Sequence, residues 1–78
     1  MKILITGGTG LVGRNLIKRL NVDSSVVVVA RTLSNLIKLK NEFPKINIIS
    51  GDIGDEKFVK RIVKDIDVLY HLAALRAV

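Results

Sequence analysis

Short apolar runs alternate along the chain with segments in which apolar residues recur at helical spacing. The apolar runs are Ile3 to Ile5, Val26 to Ala30, Ile46 to Ser50 and Val68 to Ala74. The second run is continuous and β-branched, which is typical of a strand covered on both faces in a parallel sheet. The pattern therefore predicts four strands separated by three helices.

The three intervening segments each carry one apolar face. On the first helix this face is predicted at Val12, Leu16, Ile17 and Leu20. The second helix is predicted over about residues 35–43, with Ser34 as its N-cap and Pro44 as its stop. The third is predicted over about 56–66, with Asp55 and Glu56 favouring its positive end.

The order β-α-β-α-β-α-β with short links predicts an α/β fold. Right-handed crossovers place the strands of a doubly wound parallel sheet in the order 3-2-1-4. The 78 residues permit at most one domain. Ligands of such sheets bind beyond the carboxyl ends of strands 1 and 4.

A glycine turn joins the first strand to the first helix. Gly7, Gly10 and Gly13 are spaced G-x-x-G-x-x-G, which lets backbone approach a bound group and lets the helix lie close to its strand. The free amides that begin the helix then favour a diphosphate. A purely steric role in a tight turn is the alternative. A nucleoside-triphosphate loop is excluded, because it requires Lys and then Ser or Thr where this chain has Arg14 and Asn15.

Composition narrows the classes of function. The chain has no cysteine, which excludes disulfides, cysteine metal sites and thiol nucleophiles. The net charge of +6 favours anionic ligands, but the cations are spread over three helices as on solvated faces, and few aromatics are available to stack on bases. The apolar run after Met1 ends at Thr6, too soon for a signal peptide or a membrane span. We expect a cytoplasmic protein with no metal site that binds neither nucleic acid nor membrane.

Four motifs in register resemble one family. Thr6 to Gly13, Ala30-Arg31, Gly51 to Asp55 and His71 to Ala74 resemble the extended and atypical short-chain dehydrogenases/reductases, which include the NAD(P)-dependent epimerase/dehydratase group. The resemblance covers essentially the whole chain. It implies a truncated Rossmann fold, with residues 1–78 as the N-terminal half of an NAD(P)-binding domain.

The resemblance also implies roles for the glycine turn. Gly7, Gly10 and Gly13 would form the phosphate turn, with the backbone N–H groups of Leu11 and Val12 facing the diphosphate of the cofactor.

Further binding residues are implied at the ends of strands 3 and 4. Asp52 would accept a hydrogen bond from the adenine amino group, and Ile53 would lie against the same ring. Ala73 and Ala74 would let backbone lie against the adenosine ribose and diphosphate. The alternatives are an Asx turn at Asp52 and ordinary packing of small residues at a strand end. For His71 we expect a packed, hydrogen-bonded side chain rather than a catalytic role.

The end of strand 2 bears on the choice of cofactor. An NAD site usually offers Asp or Glu there, whereas this chain has Ala30 and Arg31. The guanidinium suits a 2′-phosphate, so NADP is expected, with NAD as the alternative. Thr32, Ser34 and Arg14 are secondary candidates for contacting the 2′-phosphate. The alternative is that Arg31 is a solvent-exposed side chain without a role in binding.

The family's catalytic Tyr-x-x-x-Lys pair is absent. The only tyrosine is Tyr70, and Ala74 stands four residues on. Since the sequence stops at Val78, where a second half would begin, the first expectation is a cofactor-binding half without catalysis. The alternatives are one half of a split or truncated enzyme and a self-associating unit. The exposed fourth strand predicts a homodimer or a domain-swapped oligomer.

Overall fold

Strands and helices alternate along the whole of the described chain. The structure is a computed structural model that describes residues 1–7 and 9–72. The elements are β1 (Lys2–Thr6), α1 (Leu11–Leu20), β2 (Ser25–Ala30), α2 (Leu33–Glu42), β3 (Asn47–Ser50), α3 (Glu56–Ile62) and β4 (Val68–His71).

The four strands form one parallel sheet in the order β3-β2-β1-β4, so the predicted order is confirmed. Ile3 pairs in register with Val26 on one side and with Val68 on the other. At the far end of the sheet, Ala30 pairs with Ser50. The carboxyl ends of all four strands therefore lie along one edge, and the segments that follow them meet there.

The two faces of the sheet are covered differently. Alternation along β1 and β2 sends one set of side chains towards α1 and α2, where they pack against Ile17, Leu36 and Leu39. The other set lies beneath α3 and consists of Leu4, Val27 and Val29. Helices on both faces give the doubly wound arrangement. More residues are buried on the face under α1 and α2 than on the face under α3.

The predicted apolar face of α1 is wrong at Val12, whose side chain is 64% exposed. The buried residues of the helix are Gly13 and Ile17. Val12 lies about 100° from Gly13 around the helix axis, which turns it out of the stripe that faces the sheet. Gly13 lies one helical turn before Ile17, on the same face of the helix, and that face is turned towards the sheet.

The predicted ends of α2 and α3 also differ from the structure. α2 has Thr32 as its N-cap, not Ser34, and no side chain caps it by a hydrogen bond. Thr32 holds an extended backbone, and its carbonyl accepts from the amide of Leu36, so the helix begins as soon as the chain leaves β2. α3 ends at Ile62 instead of Ile66, because the chain then turns so that the amide of Asp67 donates to Lys2 and starts β4.

The strand bounds agree with the predictions to within a few residues. β3 begins at Asn47, where its ladder to β2 begins, and Ile46 precedes it as a fully buried residue. β4 is described as far as His71, and the predicted continuation to Ala74 falls outside the described residues.

Candidate functional site

The turn after β1 has a backbone conformation that favours glycine. Gly7 has φ 70°, and its amide donates to the carbonyl of Val29 at 3.2 Å. Only a residue without Cβ adopts this left-handed conformation at low cost. The first glycine of the motif is thus explained by the turn itself, whereas Gly8 lies outside the described residues.

The N-terminus of α1 opens into free space. Gly10 is the N-cap, with φ −84° and ψ −178°, and no side chain caps the helix. Among the described residues, a Cβ added at Gly10 would meet nothing within 4 Å, so the packing of this part of the chain does not require glycine there. The first turn contains no acidic residue, and Leu11 and Val12 are 77% and 64% exposed. An uncapped helix start with open space above it fits the phosphates of a dinucleotide.

A cleft of about 390 Å³ lies beside the glycine turn that follows β1, at the carboxyl ends of β1, β2 and β3. The residues that line it are Thr6, Gly7, Thr9, Val29, Ala30, Arg31, Thr32, Asn35, Gly51, Asp52 and Ile53. The glycine turn, the end of β2 and the segment after β3 therefore share one concave site at the carboxyl edge of the sheet. The site lies on the β2 and β3 side of the boundary between β1 and β4, where the strand order reverses.

The cleft brings together only part of the predicted set. Its lining includes four of the predicted cofactor residues, namely Gly7, Arg31, Asp52 and Ile53. It does not include four others, which belong to the start of α1: Gly10, Leu11, Val12 and Gly13. The predictions at Ala73 and Ala74 fall outside the described residues.

Three polar residues of the cleft, Thr6, Thr9 and Asn35, were not predicted as site residues. Thr6 and Thr9 lie within the stretch that carries the glycine motif, and the spacing of the glycines gives no signal for either side chain. Asn35 lies in the first turn of α2, three residues after Thr32. A polar side chain in the first helical turn after a strand end points back towards that end, which is a signal that the sequence did contain.

Asp52 has both of its carboxylate oxygens engaged. Oδ1 accepts the amide of Gly54 at 2.8 Å, which forms an Asx turn. Oδ2 lies 3.2 Å from Nη2 of Arg31. The Gly54 amide and then the Arg31 guanidinium hold the pKa of Asp52 below its ordinary value of 3.8. The Asx turn considered as the alternative at Asp52 is thus present. Asp52, which was predicted to bind the adenine, also contacts Arg31, which was predicted to bind the 2′-phosphate.

Packing explains the glycine that precedes Asp52. A Cβ added at Gly51 would lie 2.2 Å from Cζ of Phe58, the aromatic residue of α3. The helix itself is capped by Asp55, whose carboxylate accepts from the amides of Lys57 and Phe58. Residues 51–53, which line the cleft on this side, are thus held against α3.

Arg14, a weaker candidate for the 2′-phosphate, forms an ion pair with Glu42 instead. The pair belongs to a smaller cavity of about 190 Å³ beside the cleft, and Thr9 and Asn35 line both spaces. Arg14 therefore lies close to the cleft but already has a carboxylate partner.

His71 is hydrogen-bonded, as predicted, through Nδ1 to the hydroxyl of Thr6 at 2.6 Å. Its side chain is exposed rather than packed, because β4 is the outer strand of the sheet.

Two classes of site can be assessed for residues 1–7 and 9–72. Within this part of the chain, no cluster of histidine and acidic side chains is arranged to hold a metal ion. None of the helices described there combines the length and the apolar character that crossing a bilayer requires.

Known proteins resemble the chain over nearly all of its length. It is 35% identical over 80 residues to an uncharacterized membrane protein of Methanocaldococcus jannaschii, covering 97% of this chain and 24% of that protein. It is 34% identical to carbonyl reductase (NADPH) 2 of Sus scrofa, covering 96% of this chain and 32% of the reductase. Since one relative is called a membrane protein, the expectation of no membrane association stays a prediction.

A solved structure gives the same picture for the fold. UDP-glucuronic acid 4-epimerase from Bacillus cereus, in complex with NAD, superposes with a TM-score of 0.71 at 30% identity, covering 92% of this chain and 26% of the epimerase. The chain thus spans between about a quarter and a third of the length of these relatives. The sequence model of one family matches residues 3–78, and with the Rossmann fold described above this match shows that the chain belongs to the NAD dependent epimerase/dehydratase family.

Proposed function

We propose that the chain binds the adenosine diphosphate end of a nicotinamide dinucleotide in the cleft beside the glycine turn, and that it carries no catalytic residues of its own. Residues 1–78 would act as the N-terminal half of an NAD(P)-binding domain. The proposal is supported by membership of the family, and by relatives whose names or complexes include NADPH and NAD.

The observation that carries the proposal is the open space at Gly10. The φ of this residue is accessible to any L-residue, and a Cβ there would touch no atom of residues 1–7 and 9–72 within 4 Å, so the packing of the described residues gives no reason for a glycine. A ligand that must come close to the uncapped helix start supplies that reason.

The residues divide between the parts of the cofactor. Gly7, Gly10 and Gly13, with the amides of Leu11 and Val12, would hold the diphosphate. Asp52 and Ile53 would bind the adenine, and the backbone at Ala73 and Ala74 would lie against the ribose and diphosphate. Arg31 would bind the 2′-phosphate, which favours NADP over NAD.

A bound nicotinamide dinucleotide supplies hydride transfer, but the sequence contains no Tyr-x-x-x-Lys pair to act as acid and base. One alternative is that a second polypeptide supplies this pair, so that reductase or epimerase activity arises only when the two are mixed. The favoured role of the chain itself is binding.

An NMR titration tests the proposal: protein labelled with ¹⁵N is titrated with NADP up to millimolar concentration. We expect amide shifts at residues 7–13 and 51–53. Gly10→Ala, whose methyl group has room among the described residues, should unfold at or slightly above the wild-type temperature yet bind about tenfold or more weakly. Binding that survives unchanged in this variant, or no shift at millimolar NADP, would overturn the proposal.

An open strand edge favours a second property, self-association. Among the strands of the described residues, β4 pairs only with β1, and Leu69 on β4 is 51% exposed. An apolar cavity of about 160 Å³ lies beside it, between β4 and α3. An unpaired apolar edge recruits strands, and we propose that a second copy of the chain pairs there to form a homodimer, with exchange of elements between the copies as the alternative.

A further inference from the structure

One ion pair crosses the cleft between the residues expected to contact different parts of a dinucleotide. Nη2 of Arg31 lies 3.2 Å from Oδ2 of Asp52, and both residues line the cleft. A guanidinium that is paired with a carboxylate must give up that contact to bind a phosphate. Asp52 therefore competes with an incoming phosphate for Arg31.

The backbone brings these two side chains together. Ala30 pairs with Ser50 at the end of the β2–β3 ladder, and the amide of Gly51 donates to the carbonyl of Ala30 at 3.0 Å. The hydroxyl of Ser50 donates to the carbonyl of Arg31 at 3.1 Å. The residues that follow the two strands are therefore held side by side at the carboxyl edge of the sheet.

The Asx turn fixes the carboxylate from the other side. Because the amide of Gly54 holds Oδ1 of Asp52 at 2.8 Å, Oδ2 is left to face the guanidinium. The turn does not depend on Arg31, so Asp52 keeps its orientation whether or not the guanidinium is engaged.

We propose that Asp52 is a specificity-determining residue, which competes with the 2′-phosphate of a bound nucleotide for Arg31 and so weakens the preference for 2′-phosphorylated ligands. The inference rests on the proposed function, because it concerns the same cleft. A ligand with a free 2′-hydroxyl leaves the ion pair intact. A ligand with a 2′-phosphate must draw the guanidinium away from Asp52 and bring its own negative charge near a carboxylate.

The exposure of the pair sets the size of this effect. The side chains of Arg31 and Asp52 are 77% and 51% exposed, so solvent screens their attraction and a phosphate can displace the carboxylate. The expected discrimination is about three- to fivefold in the ratio of dissociation constants, the range open to an exposed ion pair.

A double-mutant cycle with two probes, 2′-phospho-ADP-ribose and ADP-ribose, tests the inference. The proteins are wild type, Asp52→Asn, Arg31→Ala and the double variant, titrated by NMR at millimolar ligand. The asparagine oxygen still accepts the Gly54 amide, so the turn persists. Asp23→Asn is the matched control, since it removes one charge in the turn that precedes β2, at the opposite end of that strand from Arg31.

We expect Asp52→Asn to shift the affinity ratio towards 2′-phospho-ADP-ribose by about three- to fivefold, with a clearly smaller shift in the Arg31→Ala background and none for Asp23→Asn. An unchanged ratio in Asp52→Asn, with both probes still bound, overturns this inference and leaves the proposed function standing. A shift of equal size in both backgrounds also overturns it, because Asp52 would then act by general repulsion. If neither probe binds wild type, the proposed function and the inference both fail.

Discussion

The hydroxyl of Thr6 and Nδ1 of His71 lie 2.6 Å apart, at the paired ends of β1 and β4. Thr6 is 4% exposed and lines the cleft, whereas His71 belongs to the outer strand. The hydrogen bond therefore ties the edge of the sheet to its centre at the point where the strand order reverses, beside the glycine turn.

Thr6→Val is expected to destabilise the protein by about 0.5–1.5 kcal/mol, because it removes this bond while keeping the shape of the side chain. The free energy of unfolding in urea measures the loss. In a double-mutant cycle with His71→Ala, the two losses should add to more than the loss in the double variant. Thr32→Val is the control, since Thr32 makes no capping hydrogen bond. Strict additivity would show that the contact contributes nothing.

Arg31→Ala is expected to weaken binding of 2′-phospho-ADP-ribose by about 1–3 kcal/mol, the value of a charge-assisted contact, and to leave ADP-ribose nearly unaffected. Arg19→Ala, which removes a charge from the last turn of α1, is the control and should change neither affinity. Dissociation constants from NMR titration decide the matter. Equal losses for both ligands would remove the argument for NADP.

The carboxyl of Asp52 is expected to titrate below 3.8, because its ionised form accepts the Gly54 amide and faces Arg31. Its folded pKa lies below the unfolded value, so its contribution to stability is complete above pH 3.8 and disappears as the pH falls through the folded pKa. Carbon NMR of the carboxyl measures the midpoint. In Arg31→Ala the midpoint should rise but stay below 3.8, since the Gly54 amide is the larger cause. A wild-type midpoint at or above that value would contradict the Asx turn.

Gly51→Ala is expected to destabilise the fold by about 1–3 kcal/mol, because its methyl group would overlap the ring of Phe58. Thermal or urea unfolding measures the change. Gly10→Ala is the matched control, as its methyl group meets no atom of the described part of the chain within 4 Å, and its stability should match or slightly exceed that of wild type. Wild-type stability of Gly51→Ala would mean that Phe58 moves aside without cost.

Leu69→Lys is expected to abolish the proposed homodimer, because a charge on an edge strand opposes strand pairing. Leu33→Lys is the control: Leu33 is 52% exposed, against 51% for Leu69, but lies at the start of α2. Sedimentation at high micromolar concentration compares them. Added salt should strengthen the wild-type dimer, since each chain carries a net charge of +6. A wild-type protein that sediments only as a monomer would refute the dimer.

The order of the strands could be predicted because its signals are local. The run from Val26 to Val29 marks a strand buried on both faces, and short links allow only parallel neighbours joined by crossovers. The helix ends were less predictable. Val12 and Ser34 have the right chemistry for an apolar face and for an N-cap, but the contact of α1 with the sheet and the early start of α2 decided both positions.

The ion pairs of the site were beyond prediction from the sequence. Arg31 and Asp52 were each predicted as ligand residues from separate motifs, and only the ladder of β2 and β3 places them within contact distance. Arg14 and Glu42 likewise meet across two helices. Pairing between distant segments depends on register and on side-chain conformation, neither of which a single motif encodes.

The helix α3 has no fully buried residue, whereas the helices on the other face bury Ile17, Leu36 and Leu39. The backbone amides of α3 are therefore expected to exchange with deuterium earlier than those of α1 and α2. This exchange would occur through a local opening of α3 that leaves the sheet intact. The segment that leads into α3 carries Asp52, so a nucleotide held by that residue would slow the opening. Protection of α3 from exchange would then report whether the cleft is occupied.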